Sequence, residues 1–273
     1  MTGITLEHKQ CLVAGDGFLP VAMAKSATQN GFEVVCISLS SDNCKELQKY
    51  CSKVVSFGPG QVNSIRDFLQ KENIKQLTFL GKVSKTMLVK RPKLEPRAIE
   101  MLKEMRKLND DAVMLRIIQE MESVGVTILD QTIFIKNLMV QKGVLTTLKP
   151  TKAQMDDIEY GFNIAKQMGG LDIGQSVVMK DRMIMAIEAI EGTDKCIKRG
   201  AKLARKKNAV VVKVSKPAQD KRFDIPAVGL RTIKTMKKYG ANVLALESGE
   251  TIIVNQDEMI EFANKNKMVV VAL

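Results

Sequence analysis

Short apolar runs alternate with helical spacings along the first half of the chain. Residues 11–14 form an apolar run that reads as a buried strand, and the glycine turn Gly15-Asp16-Gly17 follows it. A helix is expected over 19–30, closed by Gly31, and 32–37 reads as a second strand. Val54 and Val55 mark a third, short strand. Ile65, Phe68 and Leu69 share one face of a helix, and 77–80 reads as another strand. Alternation of this kind predicts a parallel sheet with helices on its faces.

The pattern breaks over residues 82–97, a basic stretch carrying Pro92 and Pro96. Helical spacings resume over 98–108 and 110–124. Asn109 and Asp110 are candidate caps of the second helix, and Gly125 ends it. Residues 126–129 and 133–135 are β-like, and 142–150 reads as a connection between domains. Two domains are therefore expected, over 1–145 and 146–273. The second opens with a helix over 152–168, stopped by Gly169-Gly170. Runs at 173–179 and 183–189, joined by Lys180-Asp181-Arg182, predict a hairpin. Thr193 is placed to cap a basic helix reaching Lys207, and 209–214 reads as a strand. Residues 217–226 form a polar loop. Helix, strand, hairpin, helix and a final strand complete the chain.

Composition narrows the chemistry. Among 273 residues there is one histidine, His8, which leaves no base for a Ser-His-Asp site and too few imidazoles for most catalytic zinc sites. The five cysteines form no C-x-x-C pair and read as reduced thiols. No apolar run approaches the roughly 18 residues of a spanning helix, and no secretion signal opens the chain, so a soluble cytoplasmic protein is expected. The formal charge of +12 favours an anionic partner: nucleic acid, an anionic membrane face or a phosphorylated substrate. Aromatic residues are only 4% and none interleaves the basic run 195–207, which argues against a nucleic-acid partner.

Several constellations carry candidate chemistry, each beside a plainer reading. Gly15 and Gly17 sit where a strand turns into a helix, a place where backbone amides meet phosphate. Pro20 replaces the third glycine of the dinucleotide fingerprint, and no acidic residue follows the second strand, so a phosphate or nucleotide fits better than a nicotinamide cofactor. Lys82 and Ser84, in Gly81-Lys82-Val83-Ser84-Lys85, follow a strand end and suit phosphate oxygens; the alternative is a solvated basic loop. Asp172 and Gln175 lie between a helix stop and a strand. Glu188, Glu191 and Asp194 surround Gly192 and Thr193 at a helix start; they suit a hard cation, and simple helix capping is the competing reading. Lys216 opens a stiff polar loop in which Asp224 stands between Phe223 and Ile225. A carboxylate so placed suits metal binding or proton transfer, and a surface salt bridge is the alternative.

Taken in order, these segments resemble the UDP-2,3-diacylglucosamine pyrophosphatases of lipid A synthesis, the two-domain family without the metallophosphoesterase fold. The resemblance rests on AGDGFLPVAMA (14–24), GKVSK (81–85), LDIGQSVV (171–178), EAIEGTD (188–194), KPAQDKRFDIPAVG (216–229) and RTI (231–233). Asp16 departs from the three glycines that family members often carry. The resemblance implies an α/β fold with a Rossmann-like N-terminal domain, a mixed α/β C-terminal catalytic domain and ligand held between them. It implies Mg²⁺-dependent cleavage of UDP-2,3-diacylglucosamine to UMP and 2,3-diacylglucosamine 1-phosphate (lipid X), with water attacking the sugar-side phosphorus. Asp224 matches the essential aspartate and is expected to bind Mg²⁺, orient water or both. Asp172, Glu188, Glu191 and Asp194 are candidate further ligands. Gly15, Gly17, Lys82, Ser84, Gln175, Thr193 and Lys216 are candidate substrate contacts. A diacyl substrate and the positive charge predict salt-sensitive peripheral association with the inner leaflet of the cytoplasmic membrane. A homodimer is compatible with this reading. Two other classes stay open: a nicotinamide-dependent oxidoreductase, and a non-catalytic binder of phosphorylated lipid or nucleotide.

Overall fold

A computed structural model describes residues 5–40, 42–83, 94–105 and 110–273. The chain divides into two compact units, one of residues 1–135 with 221–223, the other of 136–220 with 224–273.

The first unit is a doubly wound sheet. Its strands are β1 (Lys9–Ala14), β2 (Glu33–Ser38), β3 (Lys53–Ser56), β4 (Gln76–Leu80) and β5 (Thr127–Ile128), in the order β3-β2-β1-β4-β5. Every pairing is parallel. Helices α1 (Phe18–Gln29), α2 (Cys44–Leu47), α3 (Val62–Lys71), α4 (Pro96–Glu104) and α5 (Asp110–Glu122) connect them. The near-continuous burial of β1 and β2 fits a sheet covered on both faces. Strand order reverses between β1 and β4, which places the ligand crevice of such sheets at their carboxyl ends. Glu120 on α5 is buried and holds Arg66, Arg97 and Arg116 at 2.7, 2.9 and 3.1 Å. The Arg97 guanidinium, above all, keeps its carboxyl below the usual carboxylate range.

The second unit carries a six-stranded mixed sheet. Its strands are β6 (Gly143–Val144), β7 (Ser176–Lys180), β8 (Met183–Ile187), β9 (Ala209–Lys213), β11 (Ala241–Leu246) and β13 (Val269–Ala272), ordered β6-β13-β11-β9-β7-β8. β9, β11 and β13 are parallel, whereas β7 is antiparallel to both β8 and β9. Helix α6 (Lys152–Gly170) packs on β7 and β9, with Ile158, Ala165 and Met168 meeting Val177, Val210 and Val212. Helices α7 (Thr193–Leu203), α8 (Leu230–Tyr239) and α9 (Gln256–Lys265) supply the core of the other face, with Ile197, Ile233 and Met259 packed among Val178, Val211 and Leu244. A separate pair, β10 (Ala227–Gly229) and β12 (Ile252–Val254), is parallel.

Both expected fold types are present, and local departures have local causes. Residues 133–135 turn instead of extending, because Asp130 Oδ1 accepts from Thr132 N at 2.7 Å and Thr132 Oγ1 at 2.6 Å. The stretch expected to be a plain connection contains β6, which pairs with β13. β12 is not a hairpin partner of β11; it pairs with β10. Helix α6 runs through Gly169 and Gly170, and Asp172 takes the left-handed conformation after it. A Cβ at Gly169 would meet Lys216 Cα at 3.2 Å, so this glycine permits close approach where a helix stop is expected. The β7–β8 hairpin forms as expected, turning through left-handed Asp181 and Arg182. All five cysteines are free, and Cys11, Cys36 and Cys196 are buried.

Candidate active site

In the first unit, the turn after β1 is stitched to the turn after β4. Gly15 N donates to Leu80 O at 2.8 Å, Asp16 N to Lys82 O at 2.8 Å, and Lys82 N to Asp16 O at 2.9 Å. A Cβ at Gly15 would stand 2.6 Å from Lys82 O, so glycine is required there. Asn43 Nδ2 donates to Gly15 O at 2.9 Å and Gly17 O at 2.8 Å, and Ser40 Oγ donates to Asp16 Oδ1. Gly17 has φ 105° and caps α1 without a side-chain cap, so the first amides of the helix face an uncrowded turn. Gly15, Gly17 and Lys82 are thus brought together at the switch point. Ser84 lies outside the described residues.

In the second unit, candidate residues gather where β8 and β9 end and β7 begins. Register places Glu188 beside Ser176, since Glu188 N donates to Ser176 O at 2.8 Å, and Ser176 pairs with Lys213. Alternation along the strands turns Ser176 and Lys213 toward α7, as it does Val178 and Val211. Thr193 Oγ1 donates to Glu188 Oε1 at 2.9 Å and accepts from Lys213 Nζ at 2.9 Å. The hydroxyl is therefore oriented: its proton points to Glu188 and a lone pair receives the buried lysine. This corrects the expectation of a Thr193 cap. Gly192 is the N-cap of α7, with φ 82°, and no side chain caps the helix. Gly174 makes the arrangement possible, because a Cβ there would overlap the Glu188 carbonyl oxygen.

The loop after β9 supplies the second group. Asp224 Oδ2 accepts from Gln219 Nε2 and, at 3.4 Å, from Gln175 Nε2. Lys216 Nζ stands 2.6 Å from Asp172 Oδ1 and 3.9 Å from Asp224 Oδ2. Gln175 is tied in by its carbonyl, which accepts from Val214 N at 3.0 Å. Asp172, Gln175, Lys216 and Asp224 are thus drawn together by one loop, as are Glu188 and Thr193 across the sheet end.

The remaining acidic candidates are engaged elsewhere. Arg199 donates to Glu191 and holds its carboxyl below the usual range. Asp194 pairs with Arg231 at 2.8 Å. Among the described residues no three acidic, thiol or imidazole side chains are grouped as a metal cage. Of the five carboxylates expected as ligands, Asp172 and Asp224 share Lys216, whereas Glu188, Glu191 and Asp194 each hold a different partner. Glu188 is distinguished within them: its Oε2 is buried and has no hydrogen-bond partner among the described residues. Oxygen donors of this type suit Mg²⁺, which binds proteins through one or two carboxylates and takes its other ligands from phosphate and water. Glu188 and Asp224 are the side chains best able to serve. Cys196 offers no nucleophile, since burial pushes its thiol up to about 12.

Three participants were not singled out by sequence reasoning. Lys213 ends the apolar run Ala-Val-Val-Val-Lys, and a charge closing a buried strand was the available signal. Gln219 and Ser176 carried none, being ordinary polar residues until register and loop closure bring them to Asp224 and Glu188.

Fold and site together define a two-domain α/β protein whose lysines, amides and carboxylates collect at strand ends, a placement suited to a phosphorylated ligand. Residues 9–138 match the LpxI N-terminal domain, and residues 141–271 match the LpxI C-terminal domain. The chain belongs to the LpxI family. It is similar to the UDP-2,3-diacylglucosamine pyrophosphatase LpxI of Caulobacter vibrioides, at 29% identity over 272 residues and 94% of each chain.

Proposed function

We propose that this protein hydrolyses the pyrophosphate of UDP-2,3-diacylglucosamine in lipid A synthesis, yielding UMP and 2,3-diacylglucosamine 1-phosphate. Its family is one of hydrolytic enzymes, and the curated relative bears that activity in its name. The observation that carries the reading is the Asp224 carboxylate, held by Gln219 and Gln175 with Lys216 Nζ 3.9 Å away.

A phosphoanhydride breaks when water adds to one phosphorus and the other phosphate departs with increased negative charge. Asp224, fixed by two amides, is suited to orient that water and accept its proton. Lys216 is suited to neutralise charge on the departing phosphate, and its placement between Asp172 and Asp224 preorganises it. Lys213 and Glu188 hold the Thr193 hydroxyl in one orientation, which leaves its second lone pair to accept from a substrate hydroxyl. Mg²⁺ is the proposed cofactor, with Glu188 and Asp224 as its carboxylate donors; it would withdraw charge from the phosphoryl oxygens. In the first unit, Gly15, Gly17 and Lys82 are the proposed phosphate contacts. Among the described residues no helix is long and apolar enough to cross a membrane. A cytoplasmic enzyme attached peripherally to the membrane is the proposed setting.

The test is UMP release by purified protein from the diacylated UDP-sugar, with Mg²⁺ and with EDTA. Release that requires Mg²⁺ is expected. A folded protein that binds the substrate without turnover would instead be a phospholipid-type binder.

A further inference from the structure

The second unit carries a surface that neither the fold nor the reaction explains. On α7, Lys195, Lys198 and Lys202 are exposed at helical spacing, so they share one face. Helix α8 lies alongside and contributes exposed Arg231, Lys234 and Lys238 at the same kind of spacing. The helices meet at Tyr239, whose ring receives Lys198 and Lys238 ammonium groups at 5.8 and 5.7 Å. The acidic side chains of α7 and its entry are engaged, Glu191 by Arg199 and Asp194 by Arg231; beyond α8, where Lys234 stands over Phe262 at 5.8 Å, α9 carries exposed Asp257, Glu258 and Glu261. Among the described residues, Lys195, Lys198, Lys202, Lys234 and Lys238 form no ion pair with a carboxylate.

Apolar side chains fringe this basic face. Ile190, in the loop entering α7, is 100% exposed, and Leu171 is 73% exposed. Ile173 is also exposed, and its neighbour Gly174 lies against the Glu188 carbonyl, so the 171–173 and 189–190 segments border one site. Leu203 at the far end of α7 is exposed too. A fully exposed isoleucine beside a row of lysines has the chemistry of a bilayer interface: ammonium groups meet lipid phosphates while apolar tips enter the acyl boundary. A nucleic acid would satisfy the lysines and leave Ile190, Leu171 and Ile173 in water, and no aromatic ring on α7 offers a stacking platform.

We propose that the α7–α8 basic face, with Ile190, Leu171 and Ile173 at its edge, docks on an anionic lipid bilayer. This deepens the proposed function, on which its purpose rests: a diacylated substrate would pass from membrane to Glu188 and Thr193 along the apolar fringe. The docking itself stands on the surface chemistry alone.

The test is flotation of the full chain with vesicles of phosphatidylethanolamine and phosphatidylglycerol, against phosphatidylcholine vesicles and a structured RNA. Two variants are compared with wild type, Ile190→Glu and the triple Lys195→Gln, Lys198→Gln, Lys202→Gln. Each lysine near an anionic surface contributes about fivefold in affinity. The triple variant should therefore bind anionic vesicles on the order of a hundredfold more weakly. Ile190→Glu should reduce binding while keeping its salt dependence. The triple lysine variant should cleave substrate in detergent micelles at the wild-type rate, since none of its residues belongs to the candidate active site or to the apolar fringe. Vesicle binding unchanged in both variants would overturn the surface, as would preference for RNA or for neutral vesicles. If wild type binds anionic vesicles through this face but cleaves nothing in micelles, the docking stands and the enzymatic reading falls.

Discussion

Replacing Thr193 with valine tests the geometry at the end of the C-terminal sheet. The two side chains have nearly the same shape, so packing around α7 should persist while the hydroxyl is lost. That hydroxyl donates to Glu188 Oε1 and accepts from Lys213 Nζ, both at 2.9 Å. A hydrogen bond to a charged partner contributes about 1.5–3 kcal/mol. If one such contribution is expressed in the transition state, kcat/KM falls about 10- to 150-fold. The assay is initial-rate UMP release from micellar substrate, run beside thermal unfolding followed by circular dichroism, because the chain has no tryptophan. Thr193→Ser keeps donor and acceptor and should stay within about threefold of wild type. A Thr193→Val enzyme that melts like wild type and turns over within about twofold of it would refute the reasoning, since the Lys213–Thr193–Glu188 chain would then have no part in the reaction.

Other consequences follow from the same packing. Gly174→Ala forces a methyl group into the Glu188 carbonyl, so it should destabilise the second unit by about 1–3 kcal/mol and sharply lower turnover, read by denaturant unfolding and rate. Glu120→Gln removes the anion shared by three arginines and should cost about 3 kcal/mol at pH 7. Because the Glu120 carboxyl is held low by Arg97, its contribution is full above the ordinary carboxylate range and is lost as pH falls through the depressed value. The gap in stability between wild type and Glu120→Gln should therefore be constant from pH 7 to pH 5 and close in stronger acid.

Much of this arrangement was legible in the order of residues. Strand runs and glycine turns were readable because buried parallel strands demand continuous apolar side chains, as β1 and β2 show. The Gly15 and Lys82 turns were each legible as a loop after a strand, whereas their pairing comes from the parallel β1–β4 register. Side-chain partnerships were not legible. Thr193 looks like a helix cap, and only the fold reveals that its hydroxyl bridges Lys213 and Glu188. Gly169 and Gly170 looked like a stop, whereas contact with Lys216 and Pro217 explains them better. Residues 133–135 read as β from their apolar ends, and the Asp130 side chain overrode that preference. In each case a contact distant in sequence, or a local polar bond, outweighed the pattern. The acidic cluster shows the same effect: residues 188–194 place Glu188, Glu191 and Asp194 near one another along the chain, yet Arg199 and Arg231 draw two of them away.

The most direct measurement is UMP release from UDP-2,3-diacylglucosamine by wild type and by Asp224→Ala, each with Mg²⁺ and with EDTA. Activity in wild type with Mg²⁺, abolished by EDTA and lowered at least a thousandfold by Asp224→Ala, is the predicted result, since a general base and metal ligand would be lost together. Full turnover by a folded Asp224→Ala protein would contradict the account, because the carboxylate held by Gln219 and Gln175 would then lie outside the chemistry.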